Sequence, residues 1–149
     1  MQPSSIYYIV NVEAVVTDGE RYLMAVRSEQ EQHATGGITF AGGKVEDAGS
    51  TDNILEETAR REIREEVGVE VHPQMEYLWS SAFITSDGSP VVDVIMLCRY
   101  SSGTPAALQP DEVSDVRWMS AEEIYHHPGL APWTRRSIEL AENKRSLQP

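Results

Sequence analysis

The chain of 149 residues carries a formal net charge of −12, with 24 acidic against 12 basic side chains. That surplus argues against a general nucleic-acid or anionic-membrane surface, whose footprint is clustered Lys and Arg, but it leaves room for a phosphate chain delivered as its metal complex. A hydrophobic share of 40% and this length suit one globular domain over residues 1–149, and the single cysteine excludes an internal disulfide framework.

Met1 to Ser5 reads as a short polar arm. Ile6 to Thr17 (IYYIVNVEAVVT) is rich in β-branched and aromatic residues and predicts a strand. Asp18-Gly19 is a hairpin signal, so Tyr22 to Arg27 should return antiparallel. Ser28 to Thr35 is a polar loop carrying His33, an exposed residue unless that loop reaches substrate. Gly36 to Ala41 predicts a short strand delivering the backbone to a turn at Gly42-Gly43. Two glycines there let the backbone approach a metal or phosphate, and a carbonyl of the turn can act as a hard oxygen ligand. Taken alone, the pair is simply a turn.

Glu56 to Val67 is built from strong helix formers, with Gly68 placed for a left-handed C-terminal cap and Asp52 or Asn53 for an N-cap. Leu55, Ala59, Ile63 and Val67 fall on one apolar stripe at the helical period. Glu62 and Glu66 project at its edge, and Glu65 lies just beside them. Like charges three and four residues apart oppose each other by a few tenths of a kcal/mol, and partial burial costs more. A hard divalent cation would compensate, since Mg²⁺ and Mn²⁺ take carboxylate, water and phosphate oxygens. Arg61 is spaced to brace the array, with Glu57 four residues before it and Glu65 four after. The bland alternative is a solvated charged helix; three carboxylates crowding an apolar edge weigh against it.

Glu70 to Thr85 predicts one bent strand or two, and Asp87-Gly88 a turn. Val91 to Tyr100 (VVDVIMLCRY) is an apolar run of strand length, read as central in a sheet. Cys98 within it is a buried small hydrophobe rather than a nucleophile. Ser101 to Pro110 is a loop, and Val113 to Met119 a last short strand. Ser120 to Glu123 opens a helix with a capping-box pattern, ended by Pro128-Gly129. Trp133 to Arg145 is a terminal helix with Pro132 near its first turn. The pattern is that of a mixed α/β layered domain. No apolar run nears the roughly twenty residues needed to span a bilayer. No signal-peptide pattern opens the chain, so a cytoplasmic location is expected.

Arg61-Glu62-Ile63-Arg64-Glu65-Glu66-Val67-Gly68-Val69 matches the second half of the Nudix box position for position, and Gly42-Gly43-Lys44-Val45-Glu46 looks like its opening. By these residues the chain resembles the Nudix hydrolase family. Gly43 to Arg61 spans eighteen positions, a loop about four residues longer than the family pattern, and Asn53 stands where the family has an earlier Glu. Ala41 and Ile38 replace the Pro and Trp often found before the glycine pair. The resemblance implies an α/β/α sandwich with a mixed sheet, α/β (α+β) in class. It also implies metal-dependent hydrolysis of a nucleoside diphosphate linked to another group, by water attack at phosphorus.

On that reading, Glu62, Glu65 and Glu66 hold Mg²⁺ or Mn²⁺ with the Gly43 carbonyl, and Arg61 orients Glu65 and Glu57 rather than touching substrate. The general base is a box glutamate or Glu112; Asp111 and Glu112 are otherwise two solvated loop carboxylates. Glu46 is a weaker candidate. Arg27 and Lys44 are candidates to meet phosphate. Among Trp79, Phe83, Trp118 and Trp133, one is expected to stack on a base, with Phe83 chosen, since aromatics on strands are more often core. A nucleoside triphosphate or modified nucleotide is the expected substrate, with ADP-ribose or a nucleotide sugar next. Neither nucleic acid nor membrane is an expected partner, and a homodimer is compatible with the sequence. Two other classes compete: a Nudix-like domain that senses a nucleotide without cleaving it, and an acidic metal-buffering protein.

Overall fold

The computed structural model describes residues 5–28, 36–46 and 50–146. His33, the Asp47-Ala48-Gly49 part of the long box loop and the first four residues lie outside them. In chain order the elements are β1 (Ile9–Thr17), β2 (Arg21–Arg27), β3 (Ile38–Thr39), β4 (Ala41–Lys44), α1 (Ile54–Val67), β5 (Glu70–Ile84), β6 (Pro90–Ser102), β7 (Val113–Ser120), α2 (Ala121–Tyr125) and α3 (Pro132–Ser146).

The strands form one mixed sheet. Its main path runs β3-β2-β1-β6-β5, with β4 pairing to β1 and β7 to β2. β1 and β6 are parallel from Ile9↔Val91 to Thr17↔Arg99, while the other pairings are antiparallel. The predicted β1–β2 hairpin forms, yet its register holds only Thr17↔Tyr22. Farther from the turn, β1 exchanges β2 for β4, with Asn11 opposite Lys44 and Glu13 opposite Gly42. β2 and β4 thus share one edge of β1, and β6 takes the other.

Alternation along β1 decides the layers, because successive side chains point to opposite faces. Val12, Ala14 and Val16 join Val94, Met96 and Cys98 against Ala59, Ile63 and Val67 of α1. Val15, Ile95 and Leu97 face the other way, onto Ile124 of α2 and Ile138 and Ala141 of α3. Helices therefore cover both faces, as an α/β/α sandwich requires.

Local structure departs from the sequence expectation in three stretches of strand. Ile6, Tyr7 and Tyr8 precede β1 and are exposed. Gly42-Gly43 is not a turn but part of β4, paired to Val12 and Glu13. Residues 36 to 41 do not make one strand, since β3 pairs with β2 and β4 with β1. Of the two forms expected after α1, Glu70 to Ile84 takes the first, one strand that bends through register shifts near Val71, Met75 and Tyr77, which absorb its curvature. Gly68 does cap α1 with a left-handed backbone, its N–H bonding Ile63 O at 3.0 Å. Asn53 stands at the other end, but also left-handed and without a side-chain cap. The capping box on α2 is complete: Ser120 and Glu123 exchange hydrogen bonds of 3.1 Å.

Candidate active site

The site begins at the glycine pair. Neither Gly42 nor Gly43 has a positive φ, so backbone freedom is not why glycine sits there. Close approach is the reason. A Cβ on Gly42 would stand 2.6 Å from Val12 O, and one on Gly43 would fall within the Glu62 carboxyl group, 2.8 Å from Oε2. α1 can therefore press its acidic edge directly onto the backbone of β4.

Two carboxyl groups take that position. Glu66 is buried and accepts a hydrogen bond of 3.1 Å from the Gly42 N–H. Burial pushes its acid up to about 8; the Gly42 N–H opposes that, and the charges of Glu62 and Glu112 add to it. Glu62 lies next to Glu66, sharing a hydrogen bond with it. Arg61 holds Glu62 from the outside: Nη2 donates to Glu62 Oε1 at 3.0 Å and to the Lys44 carbonyl at 2.9 Å. One guanidinium therefore ties α1 to β4. Its Nε is buried with no hydrogen-bond partner among the described residues.

The sequence reading of Arg61 needs correction on one point. Glu57 does not pair with it; Arg60 takes Glu57 instead, and Arg64 forks onto Glu70. Arg61 points toward the sheet, so its neighbours are Glu62 and, at longer range, Glu46 and Glu65. Glu65 itself is exposed.

Hard-metal chemistry fits this arrangement. Two carboxyls pressed together, one forced to keep its proton, lack a positive charge between them. A backbone without a Cβ leaves the approach open. No three His, Cys, Asp or Glu side chains converge as a closed cage among the described residues. An open carboxylate pair is nevertheless how Mg²⁺ is commonly held, with waters and phosphates completing its shell.

Beside the pair opens a cleft of about 1010 Å³. Gly42, Lys44, Glu66 and Glu112 line it, as do Trp79, Phe83 and Trp133. Arg27 lines it as well. The structure thus brings Arg27, Lys44, Phe83, Glu66 and Glu112 into one cavity, and sets Gly43, Glu62, Arg61 and Glu65 outside its lining. Trp118 stays away, edge-on to Tyr100 with Arg21 over its ring. Trp79 is in the cleft wall but anchored, its Nε1 donating to Ser137 Oγ at 2.9 Å. Cys98 is buried, which raises its thiol to about 12, so it is no nucleophile near neutral pH.

Among the cleft residues that the sequence does not single out are Asn11, Glu13 and Asp93. Asn11 Nδ2 donates to Asp93 Oδ1 at 2.8 Å. Glu13 shares a hydrogen bond with Asp93, and burial first, then Asp93, raises its acid to about 9 against the opposing charge of Arg27. A signal was present. Asn11 and Glu13 alternate with valines in β1, and Asp93 is the lone carboxylate in an otherwise apolar run.

A family model described as the NUDIX domain matches residues 7–141. The chain is 31% identical over 137 residues to the NAD-capped RNA hydrolase NudC of Stutzerimonas stutzeri, covering 91% of this chain but 45% of that protein. It therefore spans less than half the length of that relative. It is 34% identical over 144 residues to the uncharacterized Nudix hydrolase YfcD of Salmonella typhi, covering 90% of this chain and 73% of that protein. Among solved structures, the NUDIX domain of Shewanella oneidensis NrtR, complexed with ADP ribose, superimposes with a TM-score of 0.72 at 24% identity. That pairing covers 93% of this chain and 88% of the other, and it is a likeness of fold. With the box motif on α1, its glycine pair against β1, and the domain model running through nearly the whole sequence, the chain belongs to the Nudix family.

Proposed function

We propose that this chain is a Mg²⁺- or Mn²⁺-dependent hydrolase that cleaves the pyrophosphate linkage of a nucleoside diphosphate joined to another group. The observation that carries this reading is the packing of Glu62 and Glu66 onto Gly43 and Gly42 at the edge of the cleft. Glu62, Glu66, Glu65 and the Gly43 carbonyl are the groups that would hold the ion. When bound, such an ion neutralises phosphate oxygens and lowers the pKa of a coordinated water.

The chain's own residues divide the remaining work. Arg61 fixes Glu62 against β4, so the carboxylate is positioned before substrate arrives. Lys44 and Arg27 place positive charge in an otherwise acidic cleft, where a phosphate chain would lie. Glu112 lies near enough to Glu66 to raise its acid, and it accepts the proton of the attacking water. Phe83 is half exposed on the cleft wall and offers a face on which a base can stack.

A nucleoside triphosphate or modified nucleotide is one substrate class for this site. A second, ADP-ribose or another nucleotide joined to a sugar, is favoured by the cleft's volume, which reaches the upper end of small-ligand pockets. The names of the NudC relative and of the NrtR complex are compatible with it. The test is a product screen of purified protein with Mg²⁺ or Mn²⁺ against nucleoside triphosphates, oxidised nucleotides, ADP-ribose, NAD and dinucleoside polyphosphates. Pyrophosphate plus a monophosphate establishes the first class. AMP plus a sugar phosphate establishes the second. Tight nucleotide binding with no turnover of any of them would mean a sensor domain instead.

A further inference from the structure

Asn11, Glu13 and Asp93 lie on the floor of the cleft and take no part in the metal chemistry above. Strand register puts them in order. Lys44 of β4 is opposite Asn11 of β1, Asn11 is opposite Asp93 of β6, and Asp93 is opposite Ser81 of β5. Residues directly opposite share a face, so these four polar side chains form a row across four adjacent strands. All four line the cleft. At about 4.8 Å per strand, Asp93 lies roughly 10 Å from Lys44. Flanking Ser81 on the same face of β5 are Trp79 and Phe83, which also line the cleft.

The row therefore runs from the phosphate-binding end, through a carboxylate, to aromatic rings. A nucleotide has the same order: phosphate, sugar, base. Asp93 is only 7% exposed. A carboxylate has about four acceptor sites, and Asn11 and Glu13 fill two. What remains is acceptor capacity at the cleft surface. Phosphate is repelled there, and a base edge presents acceptors as well as donors. A vicinal diol matches best, because it brings two O–H donors and no charge.

Fold stability does not explain the cluster. The next inward residues on this face, Val15 and Ile95, are buried and apolar, and replacing buried ionic groups by well-packed apolar ones is commonly neutral or stabilising. We propose that Asp93 is a specificity-determining residue that recognises the 2′,3′-diol of a ribonucleotide, with Asn11 and Glu13 as positioning residues. This rests on the reading of the site as a nucleotide hydrolase.

The test compares kcat/KM with Mg²⁺ for the four ribonucleoside triphosphates and ADP-ribose against their 2′-deoxy counterparts, with calorimetric binding of each. The wild-type protein should prefer the ribo form by about tenfold or more, as expected for a hydrogen bond to a charged group. Asp93→Asn should reduce that preference to within about threefold. Glu13→Leu should weaken it, and Glu13→Gln, which keeps a donor toward Asp93, should restore it. Equal use of ribo and deoxy forms by the wild-type protein overturns the inference by itself, without reference to any variant. A folded Asp93→Asn protein that keeps the full preference overturns it too. If no nucleotide is bound or cleaved, the hydrolase reading falls, and this inference with it.

Discussion

The carboxyl group of Glu62 occupies the volume in which a side chain at Gly43 would begin. Glycine at 43 is thus a condition for the acidic edge of α1 to meet β4, independent of any backbone conformation. Gly43→Ala should push Glu62 away while the apolar stripe of α1 stays packed. The expected stability cost is about 1–3 kcal/mol, as for other overpacked sites. Turnover should fall by about 10²-fold, the usual cost of a displacement near 1 Å in a catalytic group. Parallel thermal melts and kinetics check this, and an active Gly43→Ala enzyme would show that Glu62 has no fixed role.

Glu66 is the more buried member of the acidic pair, and its charge is opposed by Glu62 and Glu112. Glu66→Gln keeps the shape and relieves that opposition. Without metal, the variant should melt no lower than wild type. Saturating Mg²⁺ should raise the wild-type melting temperature, by about 2.7 kcal/mol of added stability at one hundred times Kd. The variant should gain much less and lose about 10³-fold in turnover, since charge neutralisation at phosphate is worth several kcal/mol. Equal Mg²⁺-induced shifts in both proteins would remove Glu66 from the metal site.

Arg61 reaches Glu62 and the Lys44 carbonyl through a single nitrogen. A lysine ammonium is a point charge on a flexible stem and does not reproduce that planar hold. Arg61→Lys should weaken metal affinity or activity by about 10–100-fold, the range for groups that orient metal ligands. The signature is a higher Mg²⁺ concentration at half-maximal rate, with kcat recovering at high Mg²⁺. A loss of kcat that Mg²⁺ does not rescue would point to a direct role in the reaction.

The Glu13–Asp93 pair carries a pH dependence whose sign follows from proton binding. Below about 4.5 Glu13 is protonated in both folded and unfolded chains; between about 4.5 and 9 only the folded chain keeps that proton. Stability therefore falls as pH rises across this window. Asp93 and Arg27 are the charged groups facing Glu13, and Glu66, also raised, contributes with the same sign. Urea denaturation at pH 5.5 and 8 (about one unit inside each limit) should show a loss that is smaller in Glu13→Gln. An unchanged loss would assign the slope to Glu66 alone.

Much of the fold was legible because its signals are local. The stripe of Ala59, Ile63 and Val67, the Gly68 cap, the Ser120–Glu123 box and the apolar run at Val94 to Cys98 all state their environment within a few residues. The glycine pair reads locally as a turn, but what demands glycine is a carboxylate from Glu62, nineteen positions away from Gly43 in sequence. Asn11, Glu13 and Asp93 were missed for a similar reason. Their meaning depends on a parallel β1–β6 pairing, and no local pattern announces which distant strand will lie alongside. Helical spacing alone places Glu57 beside Arg61, whereas the β4 backbone draws the guanidinium the other way.

Glu112 lies in the turn before β7, its backbone N–H bonded to Gln109 O at 3.0 Å and its carbonyl accepting from Ser28 N at 2.9 Å. The first bond closes a turn within the loop and the second ties the loop's end to the residue after β2, while the side chain is exposed and lines the cleft. A group so presented can take a proton from water without paying for burial in each turnover. If it is the base, Glu112→Gln should lower kcat by about 10²–10⁴-fold and abolish the acidic limb of the pH–rate profile, while leaving the Mg²⁺-induced rise in melting temperature intact. The last readout separates it from Glu66, whose variant loses both. An unchanged rate at every pH would return Glu112 to the status of a solvated loop carboxylate and leave the base among the glutamates of α1.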